Sequence, residues 1–275
     1  MKELTIRETQ LRAYEILRFI ANICTEKGWR FYLAWGTLIG AIRHDGFIPC
    51  DDDVDVFMPR SDYVQFLRYF ENNNQSRFKL YSINNRNDYY FSLARVVDTN
   101  TLVKGERKDI KTQCDCGIFV DIYPLDFYGN SKKKAIQFFE GQQRLEWLKQ
   151  LSLQDVFCVP RNAKALAIIK APFYLYARTC GYKFFYNAME KRANKAVGEQ
   201  ANYCCSCYGT GGMSAQMLTF PAEWFEKAIP HKFEDDCFPV PVGFDMLLHQ
   251  VYGDYMKLPN EEERKGHHLY KAYDL

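Results

Sequence analysis

The sequence has almost no excess charge of either sign. Its 275 residues include 36 Lys or Arg and 34 Asp or Glu, which gives a formal net charge of +2. No run of basic residues is longer than Lys132–Lys134. Because general nucleic-acid-binding proteins carry a concentrated basic surface, we expect no nucleic-acid partner.

Long hydrophobic runs are also missing. A membrane-spanning helix needs about 20 consecutive, mostly apolar residues, and the most weakly charged stretch, Ala163–Tyr186, is interrupted by four basic residues. Residues 1–10 contain four charged side chains and lack the apolar core of a secretory signal. We therefore expect a cytoplasmic protein, with peripheral contact at the inner face of the membrane as the alternative location.

The cysteines show no disulfide pattern, and in a cytosolic protein thiols stay reduced. Five of the ten cysteines stand singly among apolar neighbours: Cys24, Cys50, Cys158, Cys180 and Cys237. The other five are candidate zinc ligands: Cys114, Cys116, Cys204, Cys205 and Cys207. Since the first two lack zinc-knuckle spacing and the two groups lie far apart in sequence, we favour buried or loop thiols.

One segment lacks cations altogether. No Lys or Arg occurs between residues 43 and 60. The same segment holds four carboxylates within five residues: Asp51, Asp52, Asp53 and Asp55. Packed carboxylates raise one another's pKa, and a divalent cation relieves that repulsion. The segment therefore predicts a metal site, for which Mg²⁺ fits best and Mn²⁺ is an alternative.

The apolar run Val56–Met58 follows these acids, and we predict a strand over Val54–Met58. Side chains alternate along a strand, so Asp53 and Asp55 would point to one face, about 6.5–7 Å apart. Two-metal phosphoryl-transfer sites hold ions about 3.5–4 Å apart with a few carboxylates and substrate phosphates. We assign Asp53 and Asp55 as metal ligands, whereas Asp51 and Asp52 are either further ligands or caps of the loop.

Asp121 is the candidate for a third carboxylate, because it has apolar neighbours on both sides in a predicted strand, Ile118–Tyr123. It could bind the metal and accept the proton of an attacking hydroxyl. Alternatively, Asp121 is a turn residue at the end of the strand without a catalytic role. We expect Asp53, Asp55 and Asp121 to form the catalytic and metal-binding set.

A donor-phosphate site is predicted at Gly36 and Thr37. After a strand, a glycine lets backbone N–H groups approach a phosphate closely, and the threonine hydroxyl adds a donor. A strand, Gly-Thr and then Asp-Val-Asp-Val would place the phosphate cradle and the carboxylates on adjacent strands. Arg43, His44 and Arg95 could neutralise donor phosphates, or else lie on a solvated surface.

The periodicities predict an α+β protein with a mixed sheet flanked by helices. The expected N-terminal elements are a helix over about Leu4–Lys27, a strand at Phe31–Trp35, the Gly36-Thr37 turn, the strand ended by Pro59 and a helix N-capped by Ser61. Further strands are expected at Phe78–Ser82, Tyr90–Val97 and Ile118–Tyr123.

The second half of the chain predicts mainly helices. Helical periodicity runs from Ser131 to about Gly198, with Pro160 and Pro172 as breakpoints. Later helices are expected after Pro221 and over Phe244–Tyr252. We divide the chain into a catalytic core, residues 1–130, and a helical annex with a C-terminal segment, residues 131–275, that completes the same catalytic unit.

Three other motif classes fit less well. A calcium-binding EF-hand loop requires glycine where Val56 stands and helices on both sides. A sugar-nucleotide glycosyltransferase would place more parallel strand–helix units before its Asp-x-Asp. A P-loop is excluded because no Gly-Lys-Ser/Thr follows a glycine cluster, including Gly209–Gly212.

Longer motifs carry a resemblance to a known family. They are WGTLIGAIRHDGFIPCDDDVD at residues 35–55, FVDIYPLD at 119–126, FPVP at 238–241, YGDYMKLP at 252–259, and His267-His268. With them the sequence resembles, over about residues 10–270, the LicD family, which also covers the catalytic domains of fukutin and fukutin-related protein. Where that family often has Trp before the acidic run, this chain has Cys50, a departure that leaves the metal residues intact.

The resemblance implies a nucleotidyltransferase-like fold and transfer of a phospho-alcohol from a CDP-activated donor to a cell-surface glycan. Typically this is phosphocholine from CDP-choline, and lipopolysaccharide, teichoic acid or a lipid-linked precursor would be the acceptor. The family's metal residues correspond to Asp53 and Asp55, with Asp121 as the third acid. Two alternatives are a true nucleotidyltransferase that acts on a small hydroxylated acceptor and releases pyrophosphate, and an inactive glycan- or nucleotide-binding module.

Aromatic residues, 16% of the chain, leave two further questions open. Some of them, such as Tyr89–Phe91 and Phe184–Tyr186, could surround a quaternary ammonium group by cation–π attraction, although most belong to the core. The basic and aromatic helices within Arg161–Arg192 could rest on a membrane, but we favour their packing on the catalytic domain.

Overall fold

The computed structural model describes residues 1–73, 77–105, 116–155, 157, 164–195, 201–258 and 270–275. Its helices are α1 (Ile6–Lys27), α2 (Trp35–His44), α3 (Arg60–Asn72), α4 (Lys132–Leu153), α5 (Lys164–Cys180), α6 (Tyr182–Lys195) and α7 (Phe244–Tyr252). Its strands are β1 (Lys2–Glu3), β2 (Tyr32–Leu33), β3 (Val54–Pro59), β4 (Phe78–Tyr81), β5 (Ala94–Asp98), β6 (Thr101–Gly105), β7 (Phe119–Phe127), β8 (Tyr203–Ser206), β9 (Thr219–Pro221), β10 (Ala228–Phe233), β11 (Asp236–Pro241) and β12 (Tyr270–Asp274). A short 3₁₀ helix, Ala222–Phe225, follows Pro221 as predicted.

The first helix, α1, is fixed at both ends. Thr5 and Glu8 form a reciprocal capping box, in which the Thr5 hydroxyl accepts from the Glu8 amide and the Glu8 carboxylate accepts from the Thr5 amide. Gly28 ends the helix in the left-handed conformation, with φ 69°. The helix buries an apolar face that includes Leu17 and Ile20, and it packs against β3, β5 and β7. This confirms the predicted N-terminal helix.

The central sheet has the strand order β2-β3-β7-β5-β4, and β8 and β9 extend it from the second half of β7. β3 and β7 run parallel, whereas the other pairs are antiparallel. All six residues of β3 are buried, as expected for an inner strand covered on both faces. Since α1, α3 and α4 pack on these strands, the α+β prediction with a mixed sheet is confirmed.

The C-terminal strands pack against elements from the N-terminal half of the chain. β12 lies between β1 and β6 in a three-stranded antiparallel sheet, and β10 pairs with β11 in a hairpin that contacts α2 and β2. The sequence patterns did not predict these short strands, because exposed strands such as β10 lack apolar alternation. The division at residue 130 stays a prediction, although β8 and β9 join the sheet of the first segment.

Gly36 and Thr37 do not form the predicted turn. They lie in the first turn of α2, which begins directly after β2. Trp35 takes a positive φ of 44° at this point, which bends the chain sharply enough for a helix to begin without a loop.

Three other boundary predictions were wrong. Pro172 lies inside α5, where both Pro172 and Ile168, the residue whose carbonyl would meet the proline ring, are exposed. Ser61 is not the N-cap, because α3 begins at Arg60. The strand predicted from Tyr90 begins only at Ala94. The breakpoint Pro160 and the end at Gly198 lie outside the described residues.

A network of buried charged residues connects α6 to the central sheet. The guanidinium of Arg60, which is 3% exposed, binds both oxygens of Asp126 on β7 at 2.7 and 3.0 Å and Glu190 Oε1 of α6 at 3.0 Å. It also lies over the rings of Tyr63 and Tyr208, 5.2 and 5.4 Å from their centroids. Because an unpaired buried charge is very costly, this network fixes α6 against the sheet.

We predict that Arg60→Ala lowers the free energy of unfolding by about 3–5 kcal/mol, because it leaves Asp126 buried without its partner. Urea unfolding followed by circular dichroism measures this loss. Arg18→Ala is the control, because it removes a surface pair with Asp236 and should cost less than about 1 kcal/mol. Equal losses in the two variants would contradict a structural role for the buried network.

Candidate active site

Three predicted site residues meet on neighbouring strands of the central sheet. Asp55 of β3 lies opposite Asp121 of β7, and Asp121 lies opposite Arg95 of β5. Residues that face each other across adjacent strands project to the same side of a sheet. Asp55 and Asp121, called here the carboxylate pair, are therefore neighbours, although they are far apart in the sequence.

Asp55 carries the strongest electrostatic signal of the site. It is 8% exposed, and its buried Oδ1 has no hydrogen-bond partner. Burial is the first cause that raises the pKa of Asp55 well above its ordinary value, followed by the charges of Asp53, Asp121 and Asp51. Arg95 opposes this rise but does not cancel it. The site therefore favours a positive ligand next to Asp55.

Asp121 is held by Arg95 in a bidentate ion pair. Arg95 Nε donates to Asp121 Oδ1 at 2.5 Å, and Nη2 donates to Oδ2 at 3.1 Å. The guanidinium also lies over the rings of Phe91 and Phe119, 4.1 and 3.8 Å from their centroids. Arg95 therefore orients Asp121, a role that the sequence did not indicate.

The Thr37 side chain fixes the position of the Asp55 backbone. The Thr37 hydroxyl accepts a hydrogen bond from the Asp55 amide at 2.9 Å, and the Ala34 amide donates to the Asp55 carbonyl at 3.0 Å. Thr37 is 4% exposed. The Gly-Thr motif thus links the start of α2 to the start of β3.

Gly36 makes room for the acidic loop. A Cβ atom at Gly36 would lie 2.7 Å from Asp51 Oδ2, so any larger residue would require the Asp51 carboxylate to shift. The same loop is anchored from α1, since Gln10 Nε2 donates to the carbonyl of Asp51 at 2.7 Å. Asp53 directly precedes β3. The carboxylates of the loop and of the sheet are therefore gathered at the beginning of β3.

Arg43 and His44 lie at the end of α2. Arg43 Nη1 donates to the carbonyl of Tyr255 at 2.6 Å, and Arg43 Nε donates to His44 Nε2 at 3.0 Å. Burial first, and then the charge of Arg43, lower the pKa of His44, so this imidazole is uncharged at neutral pH. These contacts join α2 to the C-terminal segment, and the predicted contact of both residues with donor phosphates remains a prediction.

Two tyrosines that the sequence analysis did not single out lie close to the carboxylates. Tyr123, two residues after Asp121 on β7, is 8% exposed, and burial followed by the charges of Asp55 and Asp121 raises its pKa. Burial, followed by the charges of three aspartates led by Asp55, raises the pKa of Tyr252 at the end of α7, although 42% of the residue's surface remains exposed. The C-terminal half of the chain therefore contributes to the site. In the sequence, strand alternation from Asp121 could have indicated Tyr123, and the YGD motif could have indicated Tyr252.

The donor set fits a hard cation. Across the described residues, no group of three or more His, Cys, Asp or Glu side chains is already arranged as a metal site. Mg²⁺, however, is commonly bound by only one or two carboxylates together with waters and substrate phosphates. The buried Asp55 Oδ1, which has no hydrogen-bond partner, and the neighbouring carboxylates suit that mode.

The cysteines that could have bound zinc lie mainly in the core. Cys204, Cys205 and Cys207 are buried, and burial raises the pKa of the Cys204 and Cys207 thiols, which disfavours the thiolate that zinc requires. Cys116 is also buried. Cys114 and the motif His267-His268 lie outside the described residues.

The mixed sheet with its carboxylate pair lies largely in a segment that matches a nucleotidyltransferase-domain family model. A family model described as LicD/FKTN/FKRP, nucleotidyltransferase domain, matches residues 28–157, a range that includes β2, α2, β3 and β7.

Relatives identify the family. The chain is 32% identical over 289 aligned residues to the lipopolysaccharide cholinephosphotransferase LicD of Haemophilus influenzae, and the alignment covers 100% of both chains. It is 28% identical over 118 residues to an uncharacterized protein of Rickettsia typhi, which is 43% of this chain and 35% of that relative. This protein belongs to the LicD family, as its motifs predicted.

We predict that Asp55→Asn stabilises the metal-free protein at neutral pH. A raised pKa in the folded state means that the contribution of Asp55 to stability is complete below the unfolded pKa and is lost as pH rises through the folded pKa. Asparagine removes the charge that burial and the neighbouring acids disfavour. The free energy of unfolding should therefore rise by on the order of 1–2 kcal/mol at pH 7, and this gain should vanish near pH 4.

Urea unfolding in EDTA at several pH values measures this difference. Glu140→Gln, which removes one exposed carboxylate from α4, is the matched control and should change the free energy of unfolding by less than about 0.5 kcal/mol. A destabilised Asp55→Asn protein at pH 7 would show that Asp55 supports the fold rather than straining it.

Proposed function

We propose that the protein transfers phosphocholine, or a related phospho-alcohol, from a CDP-linked donor to a hydroxyl of a cell-surface glycan or its lipid-linked precursor, with release of CMP. The relative from Haemophilus influenzae, named as a lipopolysaccharide cholinephosphotransferase, aligns with the whole chain and supports this choice. The observation in the structure that carries the proposal is the carboxylate pair, with its buried, unpartnered Asp55 Oδ1.

Asp53, Asp55 and Asp121 would hold Mg²⁺, or Mn²⁺ in its place. When bound, the cation would stabilise negative charge on the donor diphosphate and on the departing CMP. The catalytic role of Asp121 is to accept the proton of the acceptor hydroxyl, whose oxygen attacks the phosphorus that carries the alcohol. Arg95, through its bidentate ion pair, holds the Asp121 carboxylate in orientation for this step.

The start of α2 would bind the donor phosphates. Helix N-termini present unpaired amides and a partial positive charge, which favour phosphate. Gly36 and Thr37 belong to this turn, and the Thr37 hydroxyl connects it to Asp55. Arg43 and His44, at the other end of the same helix, would be further donor contacts.

Aromatic rings near the carboxylates would suit the choline group. Trp35 is 6% exposed and contacts the ring of Tyr123 edge-on, with centroids 5.9 Å apart. Tyr252 lies near the same acids. A quaternary ammonium is bound by such rings through cation–π attraction. We propose that the protein works in the cytoplasm, at the inner face of the membrane, where it would meet a lipid-linked acceptor.

A second candidate, a true nucleotidyltransferase, is favoured by the description of the matching family model. It would attach a nucleotide to a small hydroxylated acceptor and release pyrophosphate. The two reactions differ in the bond that breaks, so product analysis separates them: CMP supports the proposal and pyrophosphate supports the alternative. A donor that stays intact after long incubation with candidate acceptors would instead indicate an inactive binding module.

We predict that Asp55→Asn lowers CMP release by at least about 10³-fold, because it removes charge where the cation and diphosphate bind. The assay follows CMP formation from CDP-choline with Mg²⁺ and a lipopolysaccharide acceptor. Glu140→Gln should retain parental activity. The urea-unfolding measurement on Asp55→Asn separates loss of activity from loss of fold, and normal turnover would reject the assignment.

A donor screen should identify the transferred alcohol. We predict that CDP-choline raises the melting temperature in the presence of Mg²⁺ more than CDP-ethanolamine, CDP-glycerol or CDP-ribitol, since a ligand that binds only the folded state stabilises it. EDTA should abolish most of the shift. A larger shift with another donor would identify a different transferred alcohol. Equal shifts with and without Mg²⁺ would contradict the metal site.

A further inference from the structure

Helix α5 exposes its apolar side. Five of its residues are 47–79% exposed: Ile168, Ile169, Phe173, Leu175 and Tyr176. Ala177, by contrast, is fully buried. Each residue advances about 100° around a helix, so the five exposed residues fall within one arc of about 160°. A surface helix of a globular protein normally turns its apolar arc towards the core.

The exposed apolar arc continues onto the two neighbouring helices. Trp147 of α4 is 43% exposed and meets the ring of Phe173 edge-on, with centroids 5.7 Å apart. Phe184 of α6 is 52% exposed and contacts Phe185, which in turn contacts Tyr176, at centroid distances of 5.3 and 5.8 Å. We call the five α5 residues with Trp147 and Phe184 the apolar face. Contiguous exposed patches of this kind mark interaction surfaces.

The exposed charges of α5 and α6 have one sign, whereas α4 adds the exposed acid Glu140 seven positions before Trp147. Helix α5 contains no Asp or Glu, and the acid of α6, Glu190, is engaged with Arg60. The exposed cations of these helices include Arg178, Lys183, Lys191 and Lys195. Because Lys191 and Lys195 follow Phe184 by seven and eleven positions, they lie on the same side of α6 as that ring.

We propose that the apolar face docks on a lipid bilayer that contains anionic lipids. Apolar side chains would enter the boundary between headgroups and acyl chains, while Lys and Arg side chains reach the anionic headgroups. Trp147 and Tyr176 are residue types favoured at that boundary. In the part of the chain that the structure describes, no helix is both long and apolar enough to cross a membrane, so the contact would be peripheral.

Charge favours a bilayer over a second copy of the chain. A symmetric dimer through the apolar face would bring the same cations of two copies together, and like charges repel. An anionic surface is complementary to them. The sequence favoured packing of these helices on the core, and the structure shows packing on one side of α5 with exposure of the other. Delivery to a lipid-linked acceptor rests on the proposed function, whereas docking itself does not.

Vesicle sedimentation tests the proposal with the full chain. The parent protein should bind vesicles of phosphatidylcholine with phosphatidylglycerol and bind phosphatidylcholine vesicles much more weakly. Ile168→Ser/Phe173→Ser should weaken binding to the anionic vesicles by at least about tenfold, because it removes two of the largest exposed apolar side chains. Ile6→Ser/Leu11→Ser, which changes two exposed apolar residues of α1, is the matched control and should bind as the parent does.

Charge and oligomeric state complete the test. Lys191→Gln/Lys195→Gln should weaken binding to anionic vesicles several-fold and leave the weak binding to neutral vesicles unchanged. Vesicle binding by Ile168→Ser/Phe173→Ser equal to that of the parent, or no binding by the parent, would overturn the proposal. So would a dimer, detected by light scattering, that Ile168→Ser/Phe173→Ser dissociates. CMP release with a soluble acceptor fragment should be unchanged in this variant, which separates failure of docking from failure of the proposed reaction.

Discussion

The parallel register between β3 and β7 is the constraint on which the site depends. It places Asp55 directly opposite Asp121, and a slip of one residue would turn one of these carboxylates to the other face of the sheet. The register is specified by buried side chains on both faces of β3 and by the hydrogen bonds that Ala34 and Thr37 make to the Asp55 backbone. The same local contacts that complete the sheet therefore position the carboxylate pair.

The arrangement opposes folding unless its charge is balanced. Asp55 is buried among other acids, and its Oδ1 has no hydrogen-bond partner. Arg95 balances Asp121 and is itself held between two aromatic rings. Local conflicts of this kind are expected at functional sites, where the rest of the fold compensates for them. Here the buried network of Arg60, Asp126 and Glu190 is one such support.

The sequence predicted those parts of the site that depend on local patterns. Asp55 and Asp121 could be recognised because each lies within an apolar run with strand periodicity, and those strands are present. The partnership of Arg95 with Asp121 depends on strand order, which periodicity does not contain. Tyr252 reaches the site only through the packing of the C-terminal half, so the YGD motif marks this residue but does not show that it lies beside the carboxylates.

Local signals failed where tertiary contacts compensate for them. Gly36 and Pro172 usually interrupt regular structure, yet both lie in helices. Gly36 lies in the first turn of α2, where the Asp51 carboxylate approaches it closely. Short strands such as β10 and β12 are recruited by their partners rather than by an apolar alternation of their own. Long elements with a buried face, above all α1, could be predicted from the sequence.

The central claim is that the carboxylate pair binds a divalent cation together with the donor diphosphate. A crystal structure with Mg²⁺ and CDP-choline tests it most directly. The account predicts an ion about 2.0–2.1 Å from an oxygen of Asp55, with Asp121 on the neighbouring strand and diphosphate oxygens in the same coordination sphere. Asp53 and Asp55 turned apart with no ion between them, or a diphosphate bound elsewhere on the protein, would contradict the account.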